Sequence, residues 1–252
     1  MKVSFIGAGP GDPELLTIKG GKVLQQAGYC IYAGSLVNEE LLKMLPPHAK
    51  VYDSSRMSLE DMVVVYKEAK ARNIDVARVH SGDPSIYGAI QEQIRALEEL
   101  DIPYEIIPGV SSFVAAASVL RKELTLPGVT QTIVITRMEG KTPIPEKEHL
   151  SVLAAATPTL CIFLSIDKIE EIAKILIPHY GQDCPVSVVY KATWPNQKII
   201  SAKLSDIAER INREAIKKSA LIIVGWVLDS EFERSVLYGQ DNIESLVKGI
   251  AL

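Results

Sequence analysis

Short apolar runs alternate with longer stretches of helical periodicity through the first half of the chain. "KVSFIG" at the start predicts a strand, followed by a helical pattern from about Pro13 to Ala27 that Gly28 would end. "YCIYAG" predicts a second strand, "NEELLKML" a short helix stopped by Pro46 and Pro47, and "AKVYD" a third strand. "SLEDMVVVYKEAKARN" predicts a helix with Ser58 as N-cap and Asp61 at the third helical position. "DVARVHSG" and "PYEIIPG" predict two further strands, leading into the helices "PSIYGAIQEQIRALEEL" and "SSFVAAASVL". This alternation implies a mainly parallel sheet with helices on both faces.

The second half is richer in β runs: "QTIVITR", "TLCIFLS", "PVSVVYKAT", "QKIISAKL" and "ALIIVGWVL". Helices are expected between them at about 146–155, 167–178 and 204–216. The loop "MEGKTPIPEKE", with two prolines and a glycine, should be exposed. "RKELTLPG" breaks the helical pattern and puts a domain boundary near residues 121–128. Two α/β domains are expected, residues 1–122 and 123–252.

Composition narrows the class. With 252 residues, 47% apolar and 23% charged, the chain has the make-up of a folded enzyme and not of a disordered segment. A net charge of −4 gives no electrostatic reason to expect nucleic acid or an anionic membrane as partner. No apolar stretch reaches membrane-spanning length, and the N-terminus lacks a signal-peptide core, so a cytoplasmic protein is expected. Cys30, Cys161 and Cys184 are far apart and form no CxxC or Cys/His cluster. They read as reduced thiols, and no metal site is expected.

The turns carry the candidate chemistry. In "GAGPGDPELLT", beginning at Gly7, a dinucleotide fingerprint would need a glycine where Asp12 stands. Pro10 also removes an N–H from the turn, and the usual acidic ribose partner is missing near Tyr32, Ala33 and Gly34. A nicotinamide-dependent oxidoreductase therefore stands as the competing reading from a different class. A phosphate loop is excluded, since no GxxxxGK followed by Ser or Thr occurs. Gly-Asp-Pro recurs at 82–84 in "HSGDPSIYG". Asp12 and Asp83 could each simply cap a helix whose first residue is proline. That reading leaves the surrounding glycines unexplained, along with Ser81, Ser85, Tyr87 and Gly88. A third small-residue turn, "IIPGVSS" at 106–112, has the same setting. Three such turns at the carboxyl ends of parallel strands would line one sheet edge, where open α/β sheets bind small molecules.

"GAGPGDPELLT", "SGDPSIYG" and "IPGVSS", in this order and spacing, resemble the tetrapyrrole methylases, S-adenosylmethionine-dependent enzymes of cobalamin and sirohaem synthesis. "TLCIFLS", "PVSVVYKATWPNQ" and "ALIIVGWV" extend the resemblance over essentially the whole chain. It implies a mostly parallel first sheet, a mixed second sheet and a cleft between the domains that holds the donor. Within the family, "YAGSLVN", "DSSRMSLED" and "TRMEGKTPIPEKE" look most like the members that methylate C11 of precorrin-4, with or without cobalt. Uroporphyrinogen-III methylases carry an acid where this chain has Ala33, which weakens the uroporphyrinogen-III reading and favours the later corrin methylation. Methylation of uroporphyrinogen III or at another precorrin position, and diphthine synthesis, remain as alternatives.

The resemblance further implies donor contacts. Pro10 should border the donor, and Ser81, Gly82, Asp83 and Ile86 should touch it, Asp83 accepting from a ribose hydroxyl or the ammonium group. Ser111 and Ser112 match the small pair after the Pro-Gly turn, and Leu164 the apolar residue beside adenosine. Ala192, Ala220 and Leu221 match small positions around the base, where backbone recognition needs close approach. A carboxylate-rich tetrapyrrole calls for cations at one mouth. Arg137 ranks first, then Arg56 and Arg121, with Arg78, Lys122 and Lys141 also beside turns. His48, His80, His149 and His179 are scattered, mostly as surface or capping residues, and no general base is singled out. A homodimer is the family's expected state.

Overall fold

A computed structural model describes residues 1–233 and 235, which form two compact units. Residues 234 and 236–252, at the end of the second expected domain, lie outside the described residues. One unit comprises residues 1–119 together with 191–198, and the other residues 120–190 and those from 199 onward.

The first unit is built on five parallel strands: β1 (Val3–Gly7), β2 (Tyr29–Tyr32), β3 (Lys50–Asp53), β4 (Val76–His80) and β5 (Tyr104–Ile107). They lie in the order β3-β2-β4-β1-β5, so the strands preceding the three glycine turns are neighbours. All residues of β1 and β4 are buried, as the continuous apolar runs of a two-sided parallel sheet require. One side packs Phe5, Ile31, Val76, Tyr66 and Leu97. The other packs Ile6, Leu24, Cys30, Val79 and Ile107.

The first helix of this unit is α1 (Ile18–Leu24). The helix over "SLEDMVVVYKEAKARN" is α2 (Leu59–Arg72), and its capping box is complete. Ser58 accepts from the Asp61 N–H while the Asp61 carboxylate accepts from the Ser58 N–H. The helix following β1 differs from expectation. Asp12 caps only a 3-10 turn, Pro13–Leu15, and Leu16 returns to extended backbone. Thr17 then caps α1 separately. The helix expected from Pro84 is also delayed, since Tyr87 and Ala89 take left-handed backbone and α3 begins only at Gln91 (Gln91–Glu99). "NEELLKML" forms a 3-10 helix, Glu39–Met44, capped by Asn38, and α4 (Ser112–Leu120) follows β5.

The second unit has a mixed sheet of β6 (Ile133–Arg137), β7 (Thr159–Phe163), β8 (Pro185–Tyr190), β9 (Lys198–Lys203) and β10 (Ala220–Val224). Their order is β6-β7-β10-β8-β9, with β6 parallel to β7 and β10 antiparallel to both β7 and β8. α5 (Leu150–Leu153), α6 (Ile169–Tyr180) and α7 (Ile207–Glu214) accompany it. Leu160, Ile162, Ile172, Leu176, Val188 and Ile222 form the centre of its core.

Near the starts of β1 and β5, Ser4 faces Glu105 across the ladder. The Lys19 and Lys2 ammonium groups, each 2.6 Å from a Glu105 oxygen, and the Ser4 hydroxyl pull the Glu105 carboxyl down to about 2. A folded-state value below the unfolded one, about 4.3, stabilises the fold above that pH and is lost as pH falls towards 2. Glu105→Gln should therefore lower stability at pH 7, and the gap to the unaltered chain should narrow by about pH 3. Urea denaturation at the two pH values checks it.

Candidate active site

The three turns meet backbone to backbone. Ala8 N–H donates to the His80 carbonyl at 2.8 Å, and Gly9 and Gly82 exchange hydrogen bonds at 3.2 and 2.8 Å. A Cβ on Gly7 would lie 2.5 Å from the Gly109 nitrogen and 2.6 Å from the Gly82 oxygen, so no side chain fits there. Gly82, at φ +63°, takes the left-handed turn that only glycine adopts without strain.

Asp83 joins the second turn to the third. Its Oδ1 accepts from the Ser85 N–H at 2.8 Å and its Oδ2 from the Gly109 N–H at 2.9 Å. No Lys or Arg of the described residues forms an ion pair with it. The turn after Asp83 is held from behind by Gln93 on α3, whose Nε2 donates to the Ala89 carbonyl. The Gln93 Oε1 in turn accepts from the Arg78 Nε–H and the Tyr66 hydroxyl, both at 3.0 Å.

Several expected site residues thus lie together. Pro10, Ser81, Gly82, Asp83 and Ile86 belong to the two bonded turns, and Ser111 and Ser112 to the third. The carbonyl of Ser111, a buried residue, accepts the Val114 and Ala115 N–H groups and so starts α4. Ala192 lies in segment 191–198 of the same unit. Leu164, Ala220 and Leu221 belong to the second unit, where the β7–β10 register carries them to one end of the sheet. Leu164 is 72% exposed and takes left-handed backbone at φ +52°, a combination that packing alone does not favour.

The cations divide differently. Arg56, Arg121, Lys122 and Lys141 are exposed. The Arg137 guanidinium donates to the carbonyls of Met138, Thr142 and Pro143, bracing the loop that follows β6. Arg78 sits within β4, not at a turn edge, and is 5% exposed, which removes it from the cations available to solvent. His80 is likewise buried and not a surface residue. Its Nε2 has no hydrogen-bond partner, and burial pushes its imidazole down to about 3.

Sequence reasoning missed the groups that hold the first turn. Trp194 Nε1–H donates to the Pro10 carbonyl at 2.8 Å, Thr193 Oγ1 accepts the Asp12 N–H at 3.0 Å, and Asn38 Nδ2–H donates to the Gly11 carbonyl at 2.9 Å. Nothing in local periodicity links residues 181 and 184 positions apart. The proline and asparagine that follow the tryptophan in "TWPNQ" signal a loop there but not what it holds.

The glycine-turn sheet edge of the first unit and the mixed sheet of the second place the chain among two-unit α/β proteins. The family model of the Tetrapyrrole (Corrin/Porphyrin) Methylases matches residues 2–208, and the chain belongs to that family. A Cobalt-precorrin-4 C(11)-methyltransferase of Methanocaldococcus jannaschii is 52% identical over 232 residues, 92% of this chain and 90% of that protein. A Precorrin-4 C(11)-methyltransferase of Pseudomonas aeruginosa is 48% identical, covering 94% of this chain and 95% of that one. Among solved structures, a cobalamin biosynthetic enzyme described as cobalt precorrin-4 methyltransferase matches with a TM-score of 0.88 at 44% identity, over 91% of this chain and 96% of that chain. A uroporphyrin-III C-methyl transferase of Thermus thermophilus complexed with S-adenyl homocysteine matches at a TM-score of 0.76 and 29% identity, over 94% of this chain and 98% of that chain.

Because the Gly7 contacts are with backbone, a methyl group there must push the turns apart. Gly7→Ala should cost about 1–3 kcal/mol of stability, the range for overpacking a tight site. Urea denaturation of the variant measures it.

Proposed function

We infer that the chain transfers a methyl group from S-adenosylmethionine to C11 of precorrin-4 or cobalt-precorrin-4 in cobalamin biosynthesis. The observation that carries this reading is the 52% identity with a cobalt-precorrin-4 C(11)-methyltransferase over 92% of the chain.

The residues of the first unit suit a cationic, nucleoside-bearing donor. Asp83 is a carboxylate with no ion-pair partner among the described residues, beside three turns whose backbones approach closely. It would attract an ammonium or sulfonium, and each of its oxygens retains a lone pair beyond the backbone bond it makes. Gly82, Ser81, Ile86, Ser111, Ser112, Pro10 and Ala192 are proposed to complete the donor site from this unit. Leu164, with its exposed apolar side chain, and Ala220 and Leu221 are proposed as adenosine contacts on the family resemblance. S-adenosylmethionine, when bound, supplies an electrophilic methyl on a sulfonium. The protein's contribution is then to hold donor and macrocycle carbon in line and near contact, which needs no covalent intermediate on the enzyme.

Arg56 and Arg121 are proposed to meet substrate carboxylates. Arg137 would contribute by fixing the loop over residues 138–143. A cytoplasmic homodimer is the state proposed from the resemblance.

Incubation of the purified protein with methyl-labelled donor should place one label on C11 of precorrin-4 or its cobalt complex. Label on uroporphyrinogen III alone would overturn the substrate assignment. Asp83→Asn should weaken S-adenosylhomocysteine binding about tenfold, equivalent to about 1.4 kcal/mol, in calorimetric titration. Unchanged affinity would reduce Asp83 to a link between turns.

A further inference from the structure

The segment between β8 and β9 leaves the second unit and belongs by its contacts to the first. Its path requires left-handed backbone at Lys191, φ +46°, and at Thr193, φ +69°. Neither residue is a glycine, so surrounding contacts must impose the conformation. Those contacts converge on the first glycine turn. The Trp194 indole N–H holds the Pro10 carbonyl, and the Thr193 hydroxyl holds the Asp12 N–H. Within the segment, Gln197 Oε1 accepts the Thr193 N–H at 2.7 Å. The segment is thereby closed on itself while it grips the turn.

Gly11 completes the fit. A Cβ there would lie 2.1 Å from Trp194 Cδ1 and 2.3 Å from Nε1, so the indole edge lies directly against the glycine backbone. The absence of a side chain at Gly11 is what admits the ring. The Lys191 ammonium sits 5.0 Å from the indole centroid, within cation–π range. Pro10 has no N–H, so its carbonyl is the polar backbone group through which that residue can be anchored.

We propose that Trp194, with Thr193, is a positioning residue for the methyl donor: residues 191–198 form a latch that fixes the Pro10–Asp12 turn at the donor's border and holds Ala192 beside it. The proposal rests on the donor reading given above. Trp194 acts through Pro10 and touches no reacting atom. Loosening the latch should therefore weaken donor binding while leaving tetrapyrrole binding and the rate at saturating donor in place. Trp194→Phe keeps a ring against Gly11 and removes the indole N–H. Thr193→Val keeps the branched shape and removes the acceptor for Asp12.

The test is calorimetric titration of the full chain and both variants with S-adenosylhomocysteine, alongside steady-state kinetics with donor and precorrin-4. The expected result is a rise of about tenfold in the S-adenosylhomocysteine Kd and in the donor KM, with kcat and the tetrapyrrole KM within about twofold. Should Trp194→Phe fail to fold, Thr193→Val, which retains the indole, decides the question alone. Unchanged donor affinity in a folded Thr193→Val protein overturns the latch, and so does a loss of kcat at saturating donor with donor KM unchanged. Failure of the unaltered chain to bind S-adenosylhomocysteine would overturn the donor reading itself, a result separable from any variant effect.

Discussion

The close approach of Gly7, Gly82 and Gly109 sets the geometry of the first unit's glycine-turn edge. Three adjacent parallel strands end within hydrogen-bonding distance of one another's turns, and a single Cβ at Gly7 would collide with two backbones at once. Because the turns touch as backbone, their polar groups are satisfied by one another: Gly9 and Gly82 pair directly, and Gly109 donates to Asp83. The candidate site is therefore held largely by main chain, with the Asp83 carboxylate tying the second turn to the third. This suits a reaction in which holding two molecules in line matters more than an acid or base.

Much of the architecture was legible because apolar periodicity reports burial directly. The continuous runs of β1 and β4 are buried on both faces, and the Ser58–Asp61 capping box forms as its spacing requires. The two Gly-Asp-Pro turns were harder to read. Asp followed by Pro signals a helix start, and both aspartates do accept a local N–H, Asp12 from Glu14 and Asp83 from Ser85. Helix then fails to propagate, because Leu16 reverts to extended backbone after the first turn and Tyr87 and Ala89 turn left-handed after the second.

The candidate site was legible in its turns and opaque in their supports. The ordered motifs singled out Pro10, Gly82, Asp83 and Ser111, and the structure brings the turns that carry them together. Trp194, Thr193, Asn38 and Gln93 act across 27 to 184 positions or through an interior network, so neither spacing nor composition pointed to them. Arg78 shows the limit most plainly. A charged residue close to a turn reads as a surface cation, yet β4 is buried on both faces and the Arg78 guanidinium meets Gln93 and the carbonyls of Ile31 and Val79.

That inward arginine has an electrostatic consequence. A buried guanidinium without a carboxylate is tolerable only where neutral acceptors surround it, and here three oxygens do so. Its charge also lowers the His80 imidazole, adding to the larger effect of burial that leaves it at about 3. Burial pushes Cys30 and Tyr66 the other way, each up to about 12. His80, Cys30 and Tyr66 are consequently uncharged near neutral pH, and burial also lowers the Arg78 guanidinium from its ordinary value. A pH dependence of activity near neutrality is therefore not expected from His80, Cys30 or Tyr66.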